Sequence, residues 1–263
     1  MTDPTLTDQR DAVLLEQLRQ QVTNLMAATH LLTPVIRESG DEKYDRYLAI
    51  MNQSFYRLLR LMNHLEQARD LDREGGTAEL GAMDLAGLCH GLTDEVIPLA
   101  RAAGVEFQYE TETASLLTTG DADALRRLLL ELISNALHAA GEGGQAGLRL
   151  VRQADCALIT VWDTGETPPE PAEGKIYRSD GGLGLGLKIA RQLAALHGGA
   201  IMLEKRPQRG MRAILSLPIR KPEGAGLLCT PRAETGSMGG FPLVLVELAD
   251  LLPFEAFLPA DLE

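Results

Sequence analysis

An α+β architecture, a long helical hairpin followed by a mixed helix-and-strand domain, is predicted by three observations. Two N-terminal stretches repeat apolar residues at an alternating four-three spacing. Further on, a helical apolar repeat from Leu125 precedes a continuous apolar run, Ala157 to Trp162, of strand length. A glycine-rich turn, Gly181-Gly-Leu-Gly-Leu-Gly-Leu187, then feeds an amphipathic stretch, Lys188 to His197, that stops at Gly198-Gly199.

The first repeat runs Leu18, Val22, Leu25, Thr29, Leu32, Ile36, and resumes after Glu38-Ser-Gly40 as Tyr44, Leu48, Met51, Phe55, Leu58, Met62, Leu65. Two heptad helices joined by a short polar turn form an antiparallel hairpin, each helix about 20 to 25 residues and roughly 30 to 38 Å long. One hairpin cannot cover its own apolar seam, so a second copy is expected to complete a four-helix bundle. Pro34 is expected to kink or open the first helix.

In the second region, Glu131, Asn135 and His138 recur at steps of four and three, which places three polar side chains on one helical face. The apolar run ending at Trp162 passes directly into Asp163-Thr164-Gly165. A carboxylate at a strand end can accept a hydrogen bond from an exocyclic amine such as adenine's, and the glycine after it lets a ligand approach the backbone. A glycine-rich turn at a helix N-terminus offers unpaired N–H groups and the positive end of the helix dipole to a polyphosphate. Asp121 suits an N-cap for the helix that carries Asn135.

Taken in order, Glu-x-x-x-Asn on a helix, Asp-x-Gly after a strand, and Gly-x-Gly-x-Gly opening a helix resemble the ATP-binding domain of sensor histidine kinases, a GHKL-type α/β sandwich, over roughly residues 80 to 219. Gly120 to Leu125 and His197-Gly-Gly-Ala-Ile resemble the flanking segments of that domain. The resemblance implies that Asn135 coordinates a Mg²⁺ bridging the phosphates of ATP, with Glu131 as a further ligand or a catalytic base. It implies that His138 lies near the phosphates, that Asp163 reads the adenine amine beside Gly165, and that Gly182, Gly184, Leu185 and Gly186 form the phosphate side of a lid. Thr167 replaces the second glycine of the family's Asp-x-Gly-x-Gly, Pro168-Pro169 follow it, and the lid between Glu166 and Gly181 is short.

The second hairpin helix, Tyr56 to Leu65 and on to Glu74, resembles the second helix of the kinase dimerisation and phosphotransfer domain. The acceptor histidine of the first helix should then fall at about position 20, where the chain has Gln20 followed by Gln21. The amide nitrogen of Gln20 has its lone pair delocalised into the carbonyl and is no nucleophile, and Gln21 cannot serve as the general base. His30-Leu-Leu-Thr-Pro34 resembles the acceptor box with one residue missing, which leaves His30 as a displaced acceptor.

A net charge of −12 argues against nucleic acid or an anionic membrane as the main partner. With neither a long apolar run nor a basic-then-apolar leader, a cytoplasmic protein is expected. Cys89, Cys156 and Cys229 are widely separated and suit reduced structural thiols. The expected organisation is a dimerisation hairpin over 1–76, an ATP-binding domain over 77–220, a linker over 221–240 and an apolar acidic tail over 241–263. Within the tail, Leu243 to Leu248 is expected to add a strand or patch to the ATP-binding domain, the alternatives being a partner-docking segment or a cover for the nucleotide site. The expected function is an Mg-ATP-binding, histidine-kinase-like homodimer that acts on a response regulator or other signalling protein without the usual acceptor. An active kinase using His30 and an ATP hydrolase using Glu131 as base are the alternatives.

Overall fold

The computed structural model describes residues 4–38, 41–72, 78–166, 185–221, 237–238 and 241–258. Helix α1 (Pro4–Arg37) and helix α2 (Glu42–Asp72) form the hairpin. At 34 and 31 residues they are longer than the apolar repeat indicates, about 51 and 46 Å at 1.5 Å per residue. Helix α1 continues through Pro34. The Thr33 hydroxyl donates to Thr29 O at 2.9 Å in the turn that contains the proline.

The heptad divides cleanly. Val22, Thr29, Leu48, Phe55 and Met62 are buried between the two helices and the rest of the chain, whereas Leu18, Leu25 and Leu32 on α1 and Met51, Leu58 and Leu65 on α2 remain 38–55% exposed. Arg19 ties the helices together through Asn63 at 3.1 Å and Glu66 at 2.5 Å.

The second region builds a two-layer α/β sandwich. Strand β1 (Gly81–Asp84) pairs antiparallel with β3 (Leu117–Gly120), and helix α3 (Leu85–Ala102) lies between them in the chain. Strands β2 (Glu106–Thr111), β4 (Gln145–Gln153), β5 (Cys156–Asp163), β6 (Ala200–Lys205) and β7 (Met211–Pro218) form a five-stranded sheet in the order β2-β4-β5-β7-β6. The β2–β4 pair is parallel and the others antiparallel. Helices α4 (Ala122–Ala140) and α5 (Gly186–Leu196) join α3 in covering the sheet.

Local signals account for the ends of α4. Asp121 caps it by accepting from Ala124 N at 2.9 Å, and Gly141 ends it with φ 66°, a conformation glycine adopts without strain. His197 is structural: its Nε2 accepts from Asp121 N at 3.0 Å, and Nδ1 lies 2.8 Å from Leu193 O, so the neutral Nδ1–H tautomer satisfies both nitrogens.

The chain ends in a segment that crosses both regions. Ser237–Met238 (β8) pairs with Phe241–Pro242 (β9), and helix α6 (Leu243–Glu247) and a 3₁₀ turn (Phe254–Phe257) follow. The run Leu243 to Leu248 is therefore helical, not a strand. Leu248, Ala249 and Phe257 are fully buried, and the segment lies against α2, α3 and α4.

Candidate functional site

Helix α4 turns one face to the core through Leu128, Leu129 and Ile133, all 0% exposed, and carries Glu131, Ser134, Asn135 and His138 along another side. Glu131 and Ser134 are buried, while Asn135 and His138 are half-buried. The His138 imidazole is pushed below its ordinary value, chiefly by burial and then by the Arg60 charge, with Asp250 opposing. It stands here as a neutral hydrogen-bonding group and not as a fixed cation.

At one end of this face β5 delivers Asp163. Its Oδ1 accepts from Gly165 N at 2.9 Å and Met211 N at 3.3 Å, and among the described residues no donor engages Oδ2. Burial raises the Asp163 carboxyl, against the two N–H bonds and the nearby Arg206 charge. The Arg206 guanidinium sits 4.4 Å from the centre of the Trp162 ring, and Nη1 donates to Asp163 O at 2.7 Å. Gly165 has to be glycine, since a Cβ there would lie 1.8 Å from Ala139 O at the end of α4.

At the other end the α5 N-terminus meets Glu131. A Cβ on Gly186 would lie 2.1 Å from Glu131 Oε2. Glu131, Asn135, His138, Asp163, Gly165, Leu185 and Gly186 thus occupy one elongated region along α4, from Gly165 against Ala139 to Gly186 against Glu131. Eight residues of helix separate those contacts, about 12 Å. Gly182 and Gly184 lie outside the described residues.

A strand-end carboxylate, a polar helix face and a glycine-bearing helix N-terminus thus lie along α4. Residues 120–221 match the family described as histidine kinase-, DNA gyrase B- and HSP90-like ATPases. The chain carries a histidine-kinase-type ATP-binding domain. It is 30% identical over 210 residues to the alginate biosynthesis sensor protein KinB of Pseudomonas aeruginosa, a match that covers 77% of this chain and 35% of KinB. The chain therefore spans about a third of that relative's length. Full-length ShkA in complex with AMPPNP shares the fold with a TM-score of 0.67 over 92% of this chain and 54% of that one, at 20% identity. Histidine kinase ThkA in complex with the response regulator protein TrrA superposes with a TM-score of 0.55 over 81% of this chain and 64% of that one, at 21% identity. Among the described residues no helix is long and apolar enough to cross a membrane.

Sequence reasoning missed the groups that close on the Glu131 end of the histidine-kinase-type domain. His64 of α2 reaches across the boundary between hairpin and domain, and its Nε2 contacts Glu131 Oε1 directly and lies 3.3 Å from Glu247 Oε2. Burial alone would lower this imidazole, but hydrogen bonds and charge from Glu131 and Glu247 outweigh it and raise the group to about 9. One turn earlier, Arg60 pairs with Glu247 at 3.3 Å and Asp250 at 2.6 Å and donates to Ser134 Oγ at 3.1 Å. His64, Glu131 and Glu247 also have the composition and spacing of a metal-ligand set. The trace in the sequence was a pair of acids, Glu247 and Asp250, three apart among the five acids of the tail.

The usual acceptor position and the displaced candidate lie elsewhere on the hairpin. Gln20 is exposed and donates from Nε2 to Asn24 Oδ1 at 3.1 Å, and His30 is exposed on α1.

Proposed function

We infer that the protein is a histidine-kinase-like signalling protein of two-component type that binds Mg-ATP along α4, lacks the usual acceptor histidine, and acts through nucleotide-dependent regulation of a partner. The observation that carries nucleotide binding is the Asp163 arrangement. Backbone N–H groups fix one carboxylate oxygen, the other has no donor among the described residues, and Gly165 brings the chain close beside it. An adenine amine is the ligand that such an acceptor suits. Asn135, half-buried on the same side of α4, offers an amide oxygen to a hard cation, and Leu185 and Gly186 open the helix that would face the phosphates. Bound Mg-ATP would supply the phosphoryl group and the charge to which these residues respond.

Glu131 is less free than a catalytic base must be, because His64 engages it and Gly186 backs it. This favours regulation over hydrolysis. Asn135→Ala and Asp163→Ala are each expected to weaken Mg-ATP binding at least about 30-fold, the cost of roughly 2 kcal/mol for a lost buried polar contact. Isothermal titration calorimetry checks this, and unchanged affinity in both variants would sink the nucleotide reading.

Homodimerisation through the hairpin is the second part of the proposal. It is supported by the open half of the heptad, with Leu18, Leu25 and Leu32 beside Met51, Leu58 and Leu65. Leu25→Glu with Leu58→Glu is expected to convert a dimer to a monomer by analytical ultracentrifugation while the ATP-binding domain stays folded.

A response regulator is the partner class that kinship with two-component kinases suggests, and a cytoplasmic location, the domain limits given above and an acidic surface unsuited to nucleic acid complete the proposal. The solvent-facing position of His30 favours one alternative, an active kinase with a displaced acceptor. Incubation with γ-labelled Mg-ATP decides between them. Acid-labile label that disappears in His30→Ala would make the protein a kinase, whereas no label under conditions of saturable binding supports a nucleotide-sensing pseudokinase.

A further inference from the structure

We propose that the C-terminal segment is an internal anionic competitor for the nucleotide site, its Glu247 and Asp250 carboxylates holding Arg60 at the phosphate end, so that segment docking and Mg-ATP binding oppose each other. The proposal rests on the nucleotide reading of the α4 face and adds the regulation of that face.

The segment is built to dock. Gln53 Nε2 donates to Leu252 O at 2.6 Å, Asn52 Nδ2 donates to Phe257 O at 3.1 Å, and the Tyr56 ring lies between Phe241 and Phe257 at 5.9 and 5.3 Å. That framework, all on α2, fixes where the two acids point. Glu247 and Asp250, three residues apart, converge on Arg60, whose remaining nitrogen donates to Ser134 Oγ. Arg57 adds a second contact to Asp250 at 3.2 Å.

Ser134 immediately precedes Asn135, and its hydroxyl also donates to Glu247 O at 3.3 Å, so the segment touches α4 at the residue beside the amide proposed to hold Mg²⁺. The fields of Arg60 and Asp250 both act on His138, one turn further along. Glu131 closes the same patch through His64. A polyphosphate arriving between Gly186 and Asn135 meets an Arg60 guanidinium already committed to Glu247 and Asp250, and a Glu131 engaged by His64. Phosphate oxygens and carboxylates are alternative partners for the same planar guanidinium fork, so bringing one in favours releasing the other. By linkage, segment docking weakens nucleotide binding by the same factor by which bound nucleotide weakens docking.

The test uses the full chain with Mg-AMPPNP and Mg-ADP. Amide hydrogen exchange is followed in residues 243–252 with and without saturating nucleotide, and affinities are measured for the full chain and for Glu247→Gln with Asp250→Asn. Nucleotide is expected to speed exchange in the segment, more with the triphosphate than the diphosphate, and the double variant to bind Mg-AMPPNP about 10-fold more tightly. Binding by the unsubstituted chain with unchanged exchange in the segment overturns the competition and leaves the nucleotide reading intact. No binding by either protein removes both. The exchange measurement needs no variant, so a double variant that fails to fold leaves the proposal open to refutation.

Discussion

His64→Ala is expected to lower the stability of the docked structure by about 3 to 5 kcal/mol, the usual cost of removing one partner from a buried ion pair. The size follows from what remains. Glu131 and Glu247 are 3% and 2% exposed, and the atoms they aim at His64 lie within 4.8 Å of one another. Without the imidazolium, two buried carboxylates face each other, and Arg60 reaches only Glu247 of the two. A fall of about 10 °C in the calorimetric transition is the expected readout for a chain of this size. Adding Glu131→Gln and Glu247→Gln to His64→Ala should recover most of the loss, because uncharged amides at the same positions do not repel. If the triple variant is as unstable as the single one, lost packing and not charge is the cause.

The same cluster sets a pH dependence. The imidazole binds its proton more tightly folded, at about 9, than unfolded, near 6.5. Its stabilisation is therefore complete below about pH 6.5 and declines as pH rises through the folded value. Thermal transitions of the unsubstituted chain should fall between about pH 6.5 and 9 by more than those of His64→Gln, which has no imidazole to lose a proton. Parallel curves for the two proteins would show that the imidazolium contributes nothing.

How much of this was legible in the sequence differs by element. The hairpin was, because its apolar spacing is a local property of each helix, and the polar turn at Glu38-Ser-Gly40 separates two runs of the same period. So was the order of Asp121 cap, α4, β5 and α5, where capping chemistry, apolar repeats and glycines all agree. Helix lengths were not, since the repeat read from Leu18 to Leu65 leaves out the start of α1, with Leu14 and Leu15, and the end of α2, with the buried Ala68. The apolar run Leu243 to Leu248 was ambiguous, as short apolar runs are, and the buried space beside α2, α3 and α4 decided for helix. The Arg60, His64, Glu131, Glu247, Asp250 network was invisible. Its members come from three segments as far as 190 residues apart, and no spacing rule joins a histidine on one helix to an acid on another.

Gly165→Ala is expected to damage fold and site together, with a loss above about 3 kcal/mol, at the upper end for a single substitution. The new Cβ would fall 1.8 Å from Ala139 O and 2.3 Å from Ala139 C. Both are backbone atoms at the end of α4, held by the buried leucines of that helix, so nothing nearby is a flexible side chain that could turn away. Gly186 makes a useful contrast. Its Cβ would meet the Glu131 carboxylate, which can swing aside at the cost of its contact with His64. Gly186→Ala should therefore cost less stability than Gly165→Ala and act mainly by loosening the cluster. Relief of the Gly165 clash requires β5 and α4 to separate just where Asp163 is held by Gly165 N and Met211 N. Nucleotide affinity should fall with stability in Gly165→Ala, measurable as a lower transition temperature that saturating Mg-ATP no longer raises. A Gly165→Ala protein as stable as its parent would mean that the β5 end does not approach α4 this closely, and the adenine end of the site would have to be redrawn.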